Sequence, residues 1–213
     1  MKPYERLLKY IAIRTPSDEE SSTVPSSTCQ FELAQHLLRE LFTMGITDVK
    51  VDTQCYLYAH IPPTPGYEDR PRLGFIAHLD TVSEFCGRRI IAEIHEDYNG
   101  RDLPLGTSGR ILSPDMFPHL RELKGRTLIT SDGTTILGAD DKAGIAEIMT
   151  MVERILDENI PHGPVSIAFT PDEEIGMGAA HFNIEAFDAD FAYTLDGDTE
   201  GEIQYENFNA AKA

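Results

Sequence analysis

The sequence predicts an α/β fold, a mostly parallel or mixed central sheet with helices on both faces. Three observations carry that expectation. Short apolar runs of strand length alternate with longer segments of helical spacing. RLGFIAH has the signature of a buried strand, and VSIAFT and FAYTL are equally apolar. Each of these three runs ends on or just before an acid or a histidine, at the edge where such sheets hold their ligands. With 213 residues, 41% of them hydrophobic, the chain can bury one sizeable core, or one large domain plus a small lobe.

Taken in order, Tyr4 to Ile13 and Thr28 to Met44 show apolar residues at helical spacing, and Gly45 is placed to close the second helix. Between them Pro16 to Ser27 is a polar loop. Val49 to Asp52 and Tyr56 to Ile61 are short strands, and PPTPGYEDRPR is too rich in proline for anything but an exposed connection. RLGFIAH follows. Val82 to Lys124 has few periodic segments and stays unassigned. TLIT and TILG frame an Asp-Gly turn as two short strands. Asp140 to Asn159 is a long helix with Ile145, Ile148, Met149, Val152, Ile155 and Leu156 on its apolar side, and Pro161 lies beyond its end. Val165 to Phe169 and Phe191 to Leu195 are strands, with a short helix near Gly178 to Phe182 between them.

Composition removes several classes of function. The net charge of -18 argues against nucleic acid or an anionic membrane as a partner, because both are recognised through Lys and Arg. No apolar run approaches the roughly 20 residues of a membrane span, and Met1 to Ile13 lacks the order of a secretory signal, so a soluble, cytoplasmic protein is expected. Cys29, Cys55 and Cys86 form an odd, widely spaced set without a CxxC pair, which suits neither a disulfide framework nor a thiolate zinc site.

The chemistry lies at the strand ends. RLGFIA leads into His78, Leu79 and Asp80; VSIAFT leads into Asp172, Glu173 and Glu174; FAYTL leads into Asp196. Asp140 joins them if its helix starts at the same edge, where an acid also suits the positive end of the helix dipole. Two carboxylates about 4 Å apart repel by roughly 4 kcal/mol at an effective dielectric of about 20. Such a set calls for protons or for a multivalent cation, and one imidazole among carboxylates suits Zn, Mn or Co. Asp80, two residues past His78 in an extended segment, points the same way and can receive the ring N–H while the other ring nitrogen binds metal. One of Glu173 and Glu174 is then free to act as a general base.

Each motif also has a plain reading. HLD can be structural, DEE a solvated turn, and Asp140-Asp141 an N-cap with its neighbour. The metal reading rests on the four groups occurring together, each at a strand or helix end. His36, His60, His95, His119, His162 and His181 have no such company, and nothing pairs Cys86 with a base. Asp196 to Asn207 follows a calcium-loop pattern with acids at its first, third and fifth positions and Gly201 at the sixth, but Asn207 stands where the bidentate glutamate belongs. LDGDT is also similar to the aspartyl nucleophile loop of haloacid dehalogenase-like phosphatases, with the threonine one place early.

SDGTTILGADDKAGIAEIM, IPHGPVSIAFTPDEEIGMGAAHF and YENFNAA together resemble the cocatalytic-zinc metallopeptidases, a family that includes acetylornithine deacetylase and the glutamate carboxypeptidases, and within it the tripeptide aminopeptidases. The likeness runs over essentially the whole chain, from LLKYIAIRTPS onward, and GFIAHLDT, LGADDKAG and FTPDEEIG are specific in combination. It implies a zinc-dependent exopeptidase-like catalytic domain that releases the N-terminal residue of tripeptides. It also implies two zinc ions per complete active site, with Mn or Co as substitutes. His78 and Asp196 would complete one zinc site with a bridging Asp140, and Glu174 would serve the second zinc. Asp80 would orient His78, Glu173 would be general base and acid, and a cis peptide would follow Asp140.

The family pattern continues into a lid domain used for dimer contacts and substrate-terminus recognition. It then returns to the catalytic domain with a histidine that finishes the second zinc site. Residues 1–213 are accordingly expected to be the N-terminal part of the catalytic domain and poorly active alone, the intact protein being a homodimer through its lid. The rival readings are an amidohydrolase or deacetylase of the same superfamily, a calcium-binding module at Asp196 to Asn207, and a silent fragment acting as an interaction domain.

Overall fold

Two helices precede the first strand: α1 (Pro3–Tyr10) and α2 (Gln30–Thr43). Pro3 opens α1, where its missing N–H is not needed, and the Glu5 side chain accepts the Lys2 N–H. Gly45 follows α2 at a φ of 91°, a left-handed value that a residue without a Cβ adopts freely. The computed structural model describes residues 1–87, 89–197 and 201–204.

The main sheet contains β1 (Val49–Val51), β2 (Leu57–Ile61), β3 (Leu73–His78), β8 (Val165–Thr170) and β9 (Phe191–Thr194), in the order β1-β2-β8-β3-β9. β2 runs antiparallel to β1 and β8, whereas β3 runs parallel to β8 and β9, so the sheet is mixed, as expected. Registers His78↔Thr170 and Ile76↔Thr194 align the ends of the three parallel strands. Whatever follows those strands therefore leaves from one edge.

Period-two alternation divides the side chains of each strand between two cores. Leu57, Ala59 and Ile61 of β2 and Val165, Ile167 and Phe169 of β8 enter the larger one, beside α1, α2 and α3 (Ala139–Asp157). Fully burying a Leu, Ile or Phe of this kind contributes about 1.5–3 kcal/mol. Tyr58 and Ala168 face the other way, where Phe182 and Phe187 of the segment around α4 (Ile184–Phe187) cover them. Helices thus lie on both faces, three on one and a single short one on the other.

The unassigned stretch contains β4 (Ala92–His95), β5 (Leu103–Leu105) and β6 (Arg110–Leu112), the last two pairing as a hairpin. Two expectations are corrected here. LITS forms β7 (Leu128–Ser131), but its partner is β4 and not the following TILG. Side chains consume the intervening turn: Asp132 accepts the N–H and hydroxyl of Thr134, Ser131 Oγ donates to the Thr135 carbonyl, and the Ile136 N–H goes to Phe85. Gly178 to Phe182 is a series of turns, not a helix. Tyr56 Oη donates to the Gly178 carbonyl and accepts the His181 N–H, while Tyr58 Oη accepts the Asn183 N–H, using backbone groups a helix would pair internally. The helix comes one turn later, where Asn183 caps the Ala186 N–H. Among the described residues no helix is long and apolar enough to cross a membrane.

Arg6, 1% exposed, ties the three large helices together. It pairs with Glu40 of α2 at 2.9 Å and with Glu153 of α3 at 3.0 Å, and donates to Thr150 at 3.0 Å. The Arg6 guanidinium and the Met1 ammonium hold Glu153 down at about 2, from an ordinary 4.5. Because the folded value is depressed, this stabilisation is complete above about 4.5 and is lost as pH falls toward 2. In Glu153→Gln the melting temperature should therefore fall less steeply across that acid window than in the parent; matching slopes in parallel calorimetric scans would refute the linkage.

Candidate metal centre

β3 delivers His78 to the sheet edge, and the Leu79 N–H bonds the Thr170 carbonyl at 2.8 Å, keeping the chain extended through Asp80. The helix side of the site is less regular than its sequence suggests. Gly138 sits at φ 76°, and the Asp140-Asp141 peptide is cis, as the resemblance implies. Asp140 and Asp141 have non-helical φ/ψ, so regular helix starts only beyond them. The N-cap role falls to Asp141, whose Oδ1 accepts the Gly144 N–H at 3.1 Å while Oδ2 accepts the His78 N–H at 3.2 Å. Asp140 is thereby left free to face His78.

From β8 the chain passes through Asp172, left-handed at φ 57°, into a single turn at Glu173–Ile175. The Glu173 and Glu174 N–H groups both land on Asp80, at 2.9 Å on Oδ1 and 3.1 Å on Oδ2. Beyond β9 comes Asp196. From His78 Nε2, a carboxylate oxygen of Asp140 is 2.9 Å away, one of Glu173 is 3.8 Å away and one of Asp196 is 3.8 Å away. His78, Glu173 and Asp196 form one group of donor atoms lying within 4.8 Å of one another, and His78, Asp140 and Glu174 form another. All the anticipated residues are thus brought to one place.

Asp80 adds an anchoring contact to the one expected of it. It is 0% exposed, and its carboxylate lies 3.3 Å from His78 Nδ1, but its own backbone carbonyl is nearer at 3.1 Å. The carboxylate chiefly anchors the turn that carries both glutamates. Asp172 is a partner the sequence did not reveal. Buried at 1% exposure, it accepts Ser26 N–H at 2.7 Å, Ser26 Oγ at 2.5 Å and Gln30 Nε2 at 2.7 Å. These contacts span more than 140 residues of chain, and no local pattern signals them.

The electrostatics suit a cation. Burial, then Asp196, Asp80 and Asp140, raise the pKa of Glu173, with His78 opposing; burial, then chiefly Asp140, raises that of Glu174. Burial and, more weakly, Asp196 lift Asp141 to about 8 against the opposing pull of His78. For His78, burial disfavours the charged ring, but Asp80, Asp141 and Asp140 outweigh it and raise the ring to about 10. The buried Lys142 directs its Nζ to the Ile13 carbonyl at 2.8 Å. One imidazole nitrogen among several mutually repelling carboxylate oxygens is a donor set that fits a divalent N/O-seeking ion. His36, His60 and His95 make their contacts elsewhere, beside Glu40, Asp48 and Thr130. Of the calcium-loop pattern, residues 198–200 and 205–207 lie outside the described residues, and Asp196 belongs with His78.

Comparison with known proteins agrees with the motifs. Residues 131–206 match Peptidase family M20/M25/M40. The chain is 52% identical over its whole length to Peptidase T of an Exiguobacterium species and 49% identical to Peptidase T of Clostridium perfringens strain 13, in each case over 52% of the relative. Against Peptidase T of Vibrio cholerae O395 it is 50% identical, over 98% of the chain and 51% of the relative. The chain therefore spans about half the length of the curated relatives it matches. Among solved structures, a tripeptidase from Staphylococcus aureus superposes with a TM-score of 0.63 at 27% identity, over 93% of this chain and 43% of that one. Aminopeptidase PepT from Bacillus cereus gives a TM-score of 0.66 at 24% identity, with the same two coverages, and supports the fold.

The double anchor on Asp80 can be measured without any metal. Asp80→Asn keeps the volume but turns an amide nitrogen toward one of the two N–H donors, leaving it unsatisfied. The variant should lose about 1–3 kcal/mol in urea denaturation with a chelator present. An unchanged midpoint and slope would show that the anchor contributes nothing.

Proposed function

We propose, from the premise that a chain matched by Peptidase family M20/M25/M40 and related along its length to peptidase T shares their chemistry, that this chain carries the catalytic residues of a metal-dependent aminopeptidase. The reaction is hydrolysis that releases the N-terminal residue of a tripeptide. One observation carries the reading: side chains from the ends of three parallel strands and one helix converge on His78 Nε2.

His78, Asp140, Glu174 and Asp196 would hold the ions, with Asp140 shared between two zinc positions in the complete site. When bound, divalent ions there supply Lewis acidity, polarising the scissile carbonyl and lowering the pKa of water. Glu173 accepts the proton of the attacking water and delivers it to the leaving amine. Asp80 holds Glu173 and Glu174 in register with His78 through their backbone N–H groups.

The intact protein, in this reading, adds a lid domain and a returning part of the catalytic domain that supplies a further histidine to the second ion, and it dimerises through the lid. A cytoplasmic location belongs to the same reading. Residues 1–213 then hold the first ion fully and the second in part, with little peptidase activity of their own.

Zinc titration of this chain by calorimetry tests the site. The parent should bind; Asp140→Ala should lose binding and Asp198→Ala keep it, whereas the reverse pattern would favour the calcium loop. In the full-length protein, Glu173→Gln should lower kcat for tripeptide hydrolysis by about 10²- to 10⁴-fold with zinc content unchanged. Release of acyl groups from N-acylated amino acids in preference to tripeptide cleavage would move the assignment to a deacetylase.

A further inference from the structure

Gly144 occupies a costly position for a glycine, near the start of a long helix, where alanine would be favoured by about 1 kcal/mol. A Cβ on Gly144 would lie 2.2 Å from the Leu195 carbonyl oxygen, 2.4 Å from Asp141 Oδ1 and 3.0 Å from Asp141 Cγ. Ordinary contact needs roughly 3.5 Å, so a methyl here would displace something by about 1 Å. Neither neighbour can yield cheaply. Leu195 presents backbone, and its N–H is bonded to the Ile76 carbonyl of β3 at 2.8 Å. Asp141 is held at both carboxylate oxygens, by Gly144 N–H and His78 N–H.

Two segments that carry the proposed ligands therefore abut one missing side chain, and a third is tied to it through Asp141. Asp140 precedes Asp141 directly, His78 hangs its N–H on that same carboxylate, and Asp196 follows Leu195. We propose, resting on the metal-centre reading above, that Gly144, with Asp141 pressed against it, is a positioning residue that sets the separation of Asp140 and Asp196 across His78. Asp196 belongs to one donor group with His78 and Asp140 to the other, and within each group the donor atoms lie within 4.8 Å of one another. Metal–ligand distances tolerate only about ±0.2 Å, so a retreat of either strand end or helix start opens the site although no ligand has been removed.

The test is titration with Co²⁺ followed by its visible absorption. Gly144→Ala should bind on the order of tenfold more weakly, the range seen when residues behind metal ligands are altered, and should show a changed spectrum. Its melting temperature with chelator should stay within a few degrees of the parent. Asp196→Glu in the Gly144→Ala background adds one methylene of reach and should recover part of the affinity, although the same change in the parent weakens binding. Asp141→Asn, which keeps the glycine and loses one N–H acceptor, should weaken Co²⁺ binding in the same way and stands in if Gly144→Ala does not fold. Parent-like affinity and spectrum in Gly144→Ala, or in the stand-in, would overturn the proposal, as would a double variant that binds no better than Gly144→Ala. A parent that takes up no Co²⁺ would instead overturn the metal reading on which it rests.

Discussion

Repulsion among carboxylates gathered around one imidazole is the constraint that the rest of this structure serves. Asp140, Glu173 and Asp196 each bring an oxygen within 4 Å of His78 Nε2, and Glu174 joins Asp140 in a second group around His78. Within each group the two acid oxygens lie within 4.8 Å of one another, where two ionised carboxylates repel by roughly 3–4 kcal/mol at an effective dielectric of about 20. The raised pKa values of Glu173 and Glu174 express that repulsion as well as burial. A divalent ion reverses its sign, turning the same crowding into affinity.

The outer layer is what keeps the crowded groups in place. Asp80, Asp141 and Asp172 are all buried, and their carboxylates accept backbone N–H or neutral side-chain donors, Asp80 also lying 3.3 Å from His78 Nδ1. Hydrogen bonds of this kind contribute about 0.5–1.5 kcal/mol each. Together they fix the two glutamates to β3, β3 to the start of α3, and the turn after β8 to Ser26 and Gln30. This explains why acids stand side by side after β8 and at the start of α3. One member faces the centre and its neighbour, or the next acid along, fastens the backbone.

Distribution of apolar surface follows the same division of labour. The larger core buries the helical side of the sheet almost completely, and the site sits on the edge where the parallel strands stop. β9, at the margin of the sheet beside β3, leaves Phe191 and Tyr193 half exposed, an edge of the kind that other chain can cover. The small hairpins between β4 and β7 form a satellite to the main sheet, held by ribbon pairing and by side-chain-capped turns.

Much of this was legible in the sequence, because strand and helix periodicity and the residue types after each strand are local properties. Buried strands announce themselves by apolar composition, and a histidine and acids placed just beyond them identify the edge that carries chemistry; His78, Glu173, Glu174 and Asp196 stand out on that ground, and Asp140 by its place at a helix start. Tertiary structure alone decided what depends on partners distant in sequence. LITS found its strand partner in β4 because side chains closed the intervening turn on themselves, and the segment at Gly178 stayed non-helical because two tyrosine hydroxyls claimed its backbone. The N-cap went to Asp141 instead of Asp140, Asp80 became an anchor for the glutamate turn, and Asp172 and Gly144 acquired their neighbours from far along the chain. A residue's type is written in the sequence, but which donor or methyl-sized gap it meets is set only when the elements pack.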